Sequence, residues 1–490
     1  MFRANSSCLR AVPCVLALLL AGCGGGSGYS GGMGSHMGGN MGGGYGGGGG
    51  TPAPSVKFSA PAQSSTIHLG QAVKLTWTSS NATSCSASTS SDIGGAFTGS
   101  QSTSGSAIVA PMGTGTVNYM LTCMGSGGSG SATSAAVMVL PSILSLLSPS
   151  KITTIGSTVD PTNRDLNPYG LAIARTSAGL VTAGDLIVCN FNDGATNTQG
   201  LGTTIVGLHP APGSMPYRIA QSSSLQGCNA LAIFDDGSIS AAAFTANLVP
   251  LVAPSGTVST PFSADTFSGP WGEAYVAASG QTPAALYVSN TNGTIDRITL
   301  SGDTQTGFTQ IAQGFCGSGK PGSIFAPAGL TYDPSVDTLY VIDTSSYSVV
   351  ALKGVSAIGA PGVMVTGQCS STASPPTPMP TFSGPSASSA TVIAHGTPLF
   401  APLSAALLAD GDLIVENSDI NIPTGQMPNL AVEVSPVFPG GFVGQPVQLD
   451  SSGTPGALFG IAATVDGQGN QIVYFNDDNT TPNEVMRITQ

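Results

Sequence analysis

Charge is scarce in this chain: Asp, Glu, Lys and Arg make up 7% of its 490 residues, where about a quarter is usual. The 12 basic residues are outnumbered by 24 acidic ones and form no stripe, so a phosphate backbone is repelled and nucleic acid is excluded as a partner. Only four histidines occur, at positions 36, 68, 209 and 395, and none has a neighbour suited to a catalytic triad. Cysteines at C-x-x-C spacing are lacking, as are Cys/His pairs at zinc-binding intervals. After the first 22 residues no apolar stretch is long enough to cross a bilayer as a helix. What the chain has instead is 41% hydrophobic residues, 68 glycines and 35 prolines, with Ser, Thr and Asn supplying the polar surface. That composition belongs to loop-rich β proteins that work outside the cytoplasm, and it suits an acidic medium.

The N-terminus carries an address. Arg3 and Arg10 precede the apolar run VPCVLALLLAGC at 12–23, the layout of a secretory signal and too short to span a membrane. The closing Leu20-Ala21-Gly22-Cys23 resembles the lipobox of bacterial lipoproteins. That resemblance implies a signal peptide over 1–22, cleavage before Cys23 and a lipid on the Cys23 thiol as the only membrane anchor. Gly24 follows, not Asp, which in such proteins implies delivery to the outer membrane. Residues 23–54 read as a flexible tether, with 17 glycines among the 27 residues from 24 to 50. Export makes disulfides the expected state of Cys85, Cys123, Cys189, Cys228, Cys316 and Cys369. Sequential pairing is the simplest of about 15 connectivities.

Residues 55–141 contain strand-like runs, VKLTWTS, TVNYMLTC and SAAVMVL, separated by Gly/Ser/Asn turns. They resemble the immunoglobulin-like modules of bacterial surface proteins, and the resemblance implies a small β-sandwich bridged by Cys85–Cys123. The match departs from antibody domains in that Trp77 precedes the first cysteine. Such a module is a spacer or adhesion unit without chemistry of its own.

From 167 to 490 a loose repeat recurs: a small residue opens an apolar strand, a turn follows, and a second strand ends in a polar residue. YGLAIA leads to GDLIVCNFNDG, NALAIF opens a diverged unit, WGEAYV leads to ALYVSNTNGTIDRITL, and AGLTYD leads to TLYVIDTSSYSVVAL. PLSAALLADGDLIVEN and FGIAATVDGQGNQIVYFNDDN complete the set. Six units without helical period between them predict a six-bladed β-propeller. The fold class is therefore all-β, a small immunoglobulin-like sandwich followed by a propeller. The connector over 142–166 contains KITTIGSTV, a strand available to complete the last blade. The strings PYGLAI, PWGEAYV, LYVSNTNGTIDRI and PAGLTYD resemble NHL-repeat and SMP-30/gluconolactonase-like propellers.

In the metal-dependent lactonases of that superfamily, carboxylates or Asn precede the small residue that opens the inner strands and hold a divalent cation. Here the position reads Tyr169, Asn229, Trp271, Ala328, Leu403 and Phe459. Asn229 alone is an oxygen donor, with Glu273 two residues past Trp271, and a hard cation needs more. No metal, cofactor or catalytic residue is assigned. Ca²⁺ would otherwise have to come to the Asn476–Asn479 run, which lacks the Gly and Glu of an EF-hand loop. Tyr169, Asn229, Trp271, Glu273 and Phe459 are instead candidate ligand-binding residues at an aromatic-lined channel mouth. Asn190, Asn290, Asp343, Asn417 and Asn476 end the second strands and are expected to form the turns that follow. The functional expectation is a lipid-anchored envelope protein whose propeller binds a small ligand, a glycan or another envelope protein. The alternative is a lactonase- or lyase-like propeller with an atypical site.

Overall fold

The structure is a computed structural model that describes residues 50–263, 267–317, 325–367, 378–418 and 422–490. Cys23, the signal peptide and most of the tether lie outside the described residues, as does Cys369.

The first module has three small sheets around one core. Val73–Ser80 pairs with Ser55–Ala60 and Gly105–Val109; Val137–Leu140 lies between Ser65–His68 and Gly115–Val117. The third sheet runs Gly99–Gln101, Ser84–Thr89, Tyr119–Gly125, Gly128–Thr133. Burial alternates along Val73–Ser80 and Tyr119–Gly125, because each sheet faces the core on one side only. Leu75, Trp77, Phe97, Tyr119 and Leu121 fill that core. Cys85 and Cys123 are bonded with their Cα atoms 4.0 Å apart. They are direct partners on adjacent strands of one sheet. Antibody domains bridge two sheets instead.

The remainder is a ring of six sheets, five of four antiparallel strands and one, blade three, extended to six strands. Blade one comprises Leu166–Ile173, Leu186–Asn192, Thr204–Leu208 and Tyr217–Gln221. Blade two comprises Cys228–Ile233, Ile239–Ala243, Leu251–Val252 and Val258–Ser259. Blade three starts at Pro270–Val276, blade four at Pro327–Asp333, blade five at Pro402–Leu407 and blade six at Leu458–Val465. Each of these first strands packs against the first strands of the blades before and after it, and blade six packs against blade one. Second strands such as Leu186–Asn192 and Ala284–Asn290 are buried throughout, since a neighbouring blade covers each face; this is why they read as unbroken apolar runs.

Blade six runs Leu458–Val465, Gln471–Asp477, Glu484–Thr489, and its outer strand is Thr153–Ser157 from the connector. Ile155 of that strand is fully buried with Leu186, Val188, Val206, Leu208, Tyr474 and Val485. Blade three is longer than the rest. Val363–Thr366 runs parallel to Thr304–Gln313, Thr381–Ser383 pairs with it, and both come from an excursion of blade four. Cys189 of blade one is bonded to Cys228 of blade two. Cys316 is also disulfide-bonded.

Few carboxylates exist in this protein, and many of them are inside it. Burial raises Asp296 to about 7, Asp343 to about 6, Glu416 to about 8 and Asp478 to about 7. Each folded value exceeds that of the unfolded chain, so between about pH 4 and pH 8 the native state holds more protons than the unfolded state. Stability is therefore greatest on the acid side and falls as pH rises through 6–8. The thermal unfolding midpoint should be several degrees higher at pH 5 than at pH 8, measured by circular dichroism in matched ionic strength. Ile155→Ala should cost about 2–4 kcal/mol in urea unfolding, because it opens a cavity in the strand that closes the ring.

Candidate functional site

At the position where the repeat places its small residue, every inner strand is irregular. The pairing of first and second strands slips between Pro168 and Leu171, Cys228 and Ala230, and Pro270 and Glu273. It slips again between Pro327 and Leu330, Pro402 and Ser404, and Leu458 and Ile461. A bulge re-aims a side chain, and here it does so six times around one axis. Two glycines show why the next residue must be small. A Cβ on Gly272 would lie 2.0 Å from the Ala328 carbonyl oxygen, and one on Gly460 would lie 2.2 Å from that of Tyr169.

The bulged residues converge. Tyr169 stacks on Phe459 and on Phe191, each with ring centroids 4.3 Å apart. Trp271 meets Tyr169 edge-on at 6.3 Å and Phe244 at 5.5 Å. Tyr169 and Trp271 are buried, and Phe459 is half-buried. These rings pack on one another and close that end of the channel. Phe191 and Phe244 belong to the same cluster; as second-strand residues they gave no signal in the inner-strand repeat.

Below the rings is a small chamber of about 100 Å³ that Tyr169, Asn229, Glu273, Ser404 and Phe459 help to line. Four of the five candidate residues line this chamber; Trp271 is outside its lining and meets the group through its edge-on contact with Tyr169. Asn229 donates from Nδ2 to the Pro270 carbonyl at 3.4 Å, and its Oδ1 accepts nothing from the described residues. Glu273 Oε2 accepts from Ser240 Oγ at 2.7 Å, while Oε1 is likewise unpartnered. Burial pushes the Glu273 carboxyl up to about 8, so it is largely a neutral acid at pH 7 and able to donate. Ser404 Oγ donates to Glu416 Oε1 at 2.5 Å. Among the described residues, no group of three His, Cys, Asp or Glu side chains able to share an ion involves this chamber.

Past Glu273 the channel opens into a funnel of about 750 Å³, within the range of small-molecule sites. Its wall is the far end of the inner strands. Ala172, Ala174, Ala232, Ala274, Ala405, Ala406, Ala462 and Ala463 contribute small apolar surface, and Ile173, Ile233 and Leu330 contribute larger ones. Tyr275 and Tyr332 are the aromatic members, held by hydrogen bonds at 3.1 Å to Asp235 and Asp337. Arg175, an exposed residue, is the cation of the lining. Glu273 borders both spaces and forms the neck between them. The recurrent alanines at the ends of the inner strands were the available sequence signal for this funnel.

The polar residues that end the second strands mostly clasp other segments instead of making local turns. Asn190 Nδ2 donates to the Thr158 carbonyl at 3.0 Å, and Asn417 Nδ2 to that of Pro398 at 2.9 Å. Asn476 reaches Pro168 and Tyr169 of blade one, and Asn290 Oδ1 accepts from the Ser268 amide at 3.1 Å. Asp343 makes the expected turn, to the Ser345 amide at 3.1 Å, and Asn290 also bonds across the turn after its strand, from Nδ2 to Thr294 Oγ1 at 3.1 Å.

No protein-family profile matches this sequence, and no curated protein matches it. Solved structures are similar to it in shape. Virginiamycin B lyase from Staphylococcus aureus has a TM-score of 0.40 at 14% identity, over 69% of this chain and 99% of the lyase. A gluconolactonase from Xanthomonas campestris has a TM-score of 0.41 at 12% identity, over 66% of this chain and 88% of the enzyme. At these scores the propeller rests on the strand pairing and ring closure described above.

Proposed function

We propose that this protein is a cell-envelope binding protein whose propeller captures a small amphipathic ligand in the funnel. The observation that carries the reading is the funnel itself: a space of about 750 Å³ whose walls combine alanine and aliphatic side chains with a comparable share of polar surface. It has two tyrosine rings, one cation and a neutral buried acid at its base. An apolar body buries against the strand ends. A carbonyl or ether oxygen at the inner end accepts from Glu273, and an anionic group at the outer end pairs with Arg175. The closed aromatic end makes the funnel the way in. In this reading the lipid on Cys23 and the tether moor the protein to the outer membrane, and the sandwich, read as immunoglobulin-like, is the spacer.

The second reading, a hydrolase or lyase, draws on one observation: an acid held protonated at neutral pH beside a substrate-sized space is how general acids are built. Glu273 would then be the catalytic residue.

The probe 1-anilinonaphthalene-8-sulfonate, apolar with one anionic group, should bind at one equivalent with enhanced fluorescence. Ala405→Trp and Ala463→Trp, which fill the funnel, should weaken it at least tenfold, and Arg175→Ala a few-fold. Unchanged binding in both tryptophan variants overturns the funnel as the site. Turnover of dihydrocoumarin that Glu273→Gln abolishes would replace the binding reading with the enzymatic one. Labelling cells with an alkyne fatty acid should mark the protein, and Cys23→Ser should remove the label and release the protein from membranes.

A further inference from the structure

A second cluster of acids lies away from the channel, where the sandwich meets blade five. Asp410 and Asp412 stand in the turn between the first two strands of that blade, and Glu433 is on its third strand, Leu430–Val434. One carboxylate oxygen from each of the three lies within 4.8 Å of the others. Asp412 is 2% exposed and Glu433 1%, so these are charges placed inside the protein. Among the described residues the ion pairs are Asp185–His209 and Asp160–Arg218, and neither touches this group. Two buried carboxylates and a half-exposed third, this close together, cannot all ionise unless a positive charge joins them.

The oxygens are not used up by hydrogen bonds. Asp412 Oδ2 and Asp410 Oδ2 are buried and accept nothing from the described residues. The Asp412 oxygen points at the sandwich: a Cβ on Gly70 would lie 2.0 Å from it, so glycine is required there for the carboxylate to stand where it does. Glu433 accepts from the Ile143 and Leu144 amides at 3.2 and 2.7 Å, which fixes its carboxylate and leaves a lone pair on each oxygen. The surrounding contacts join the two modules. Ser435 Oγ donates to the Gly70 carbonyl at 2.7 Å, and Gln71 Nε2 to the Asp410 carbonyl at 3.3 Å. A cavity of about 240 Å³ lined by His68, Gln71, Ile143 and Asp410 adjoins the cluster and has room for water.

The geometry points to a binding site for a hard divalent cation of calcium's size, held by Asp410, Asp412 and Glu433 and completed by water, that pins the sandwich to blade five. Ca²⁺ accepts oxygens at about 2.3–2.6 Å in flexible geometry, whereas Mg²⁺ demands a near-ideal octahedron at about 2.0–2.1 Å; carboxylates brought together from separate segments suit the more tolerant ion. All the donors are oxygens, which suits a hard ion.

The test uses the whole protein, stripped of metal with EDTA and dialysed at pH 7.5, then titrated with CaCl₂. Calorimetry should show one site, and the thermal midpoint should rise by about 3–8 °C at saturation. Asp410→Asn, at the half-exposed member, and Asp412→Asn should each abolish the heat and the shift. If Asp412→Asn fails to fold, Asp410→Asn decides alone. No calcium response in the unaltered protein overturns the proposal, and so does a full response that survives in Asp410→Asn.

Discussion

The whole ring depends on how closely its innermost strands approach one another. Blade contacts at the hub are backbone against backbone, as at Gly272 with Ala328 and Gly460 with Tyr169. A large side chain there would push neighbouring blades apart and open the ring; the position holds Gly in four blades, Ala230 in blade two and Ser404 in blade five. The bulge at the same level solves the packing and sets the interior at once. It displaces one residue per blade toward the axis, and in this chain several of those residues are aromatic. The rings that result occupy the space the backbone leaves, so one end of the hub is solid. Every property of the interior follows: a filled top, a narrow polar neck at Glu273, and a wide space where the strands diverge.

Poverty of charge has a matching interior consequence. A protein with so few ionisable groups might be expected to keep them on its surface. Instead Asp296, Asp343 and Glu416 are buried, each beside a hydroxyl or an amide. Their protonation is part of the fold, since a buried carboxylate is tolerable once neutral or paired. That ties the stability of the blades to the proton concentration around the protein.

The ring was legible because its signal is repetitive. Strings such as LIVCNF and ALYVSN announce strands covered on both faces, and a small residue two steps after proline announces an inner strand. The candidate site was legible in part. Tyr169, Asn229, Trp271 and Phe459 could be found from one repeated position, with Glu273 two residues beyond, and all but Trp271 line one chamber. What could not be read was the direction of their rings, which pack on one another because Phe191 and Phe244 arrive from the second strands. The funnel escaped notice because alanine in a strand reads as filler, and its meaning appears only when six strand ends face each other. The acids at Asp410, Asp412 and Glu433 escaped for another reason: their proximity depends on Gly70 and Ile143, hundreds of residues away in the chain.

The last blade takes its outer strand from Thr153–Ser157 and its third from Glu484–Thr489, so the two ends of the propeller segment are knitted into a single sheet. A chain emerging from a ribosome or a secretion pore can assemble blades one to five in order as they appear. It cannot finish the circle until its final seven or so residues have cleared the exit. Until then the Thr153–Ser157 strand has a bare edge and no mate. Closure of the ring is therefore the last step that the order of the strands permits.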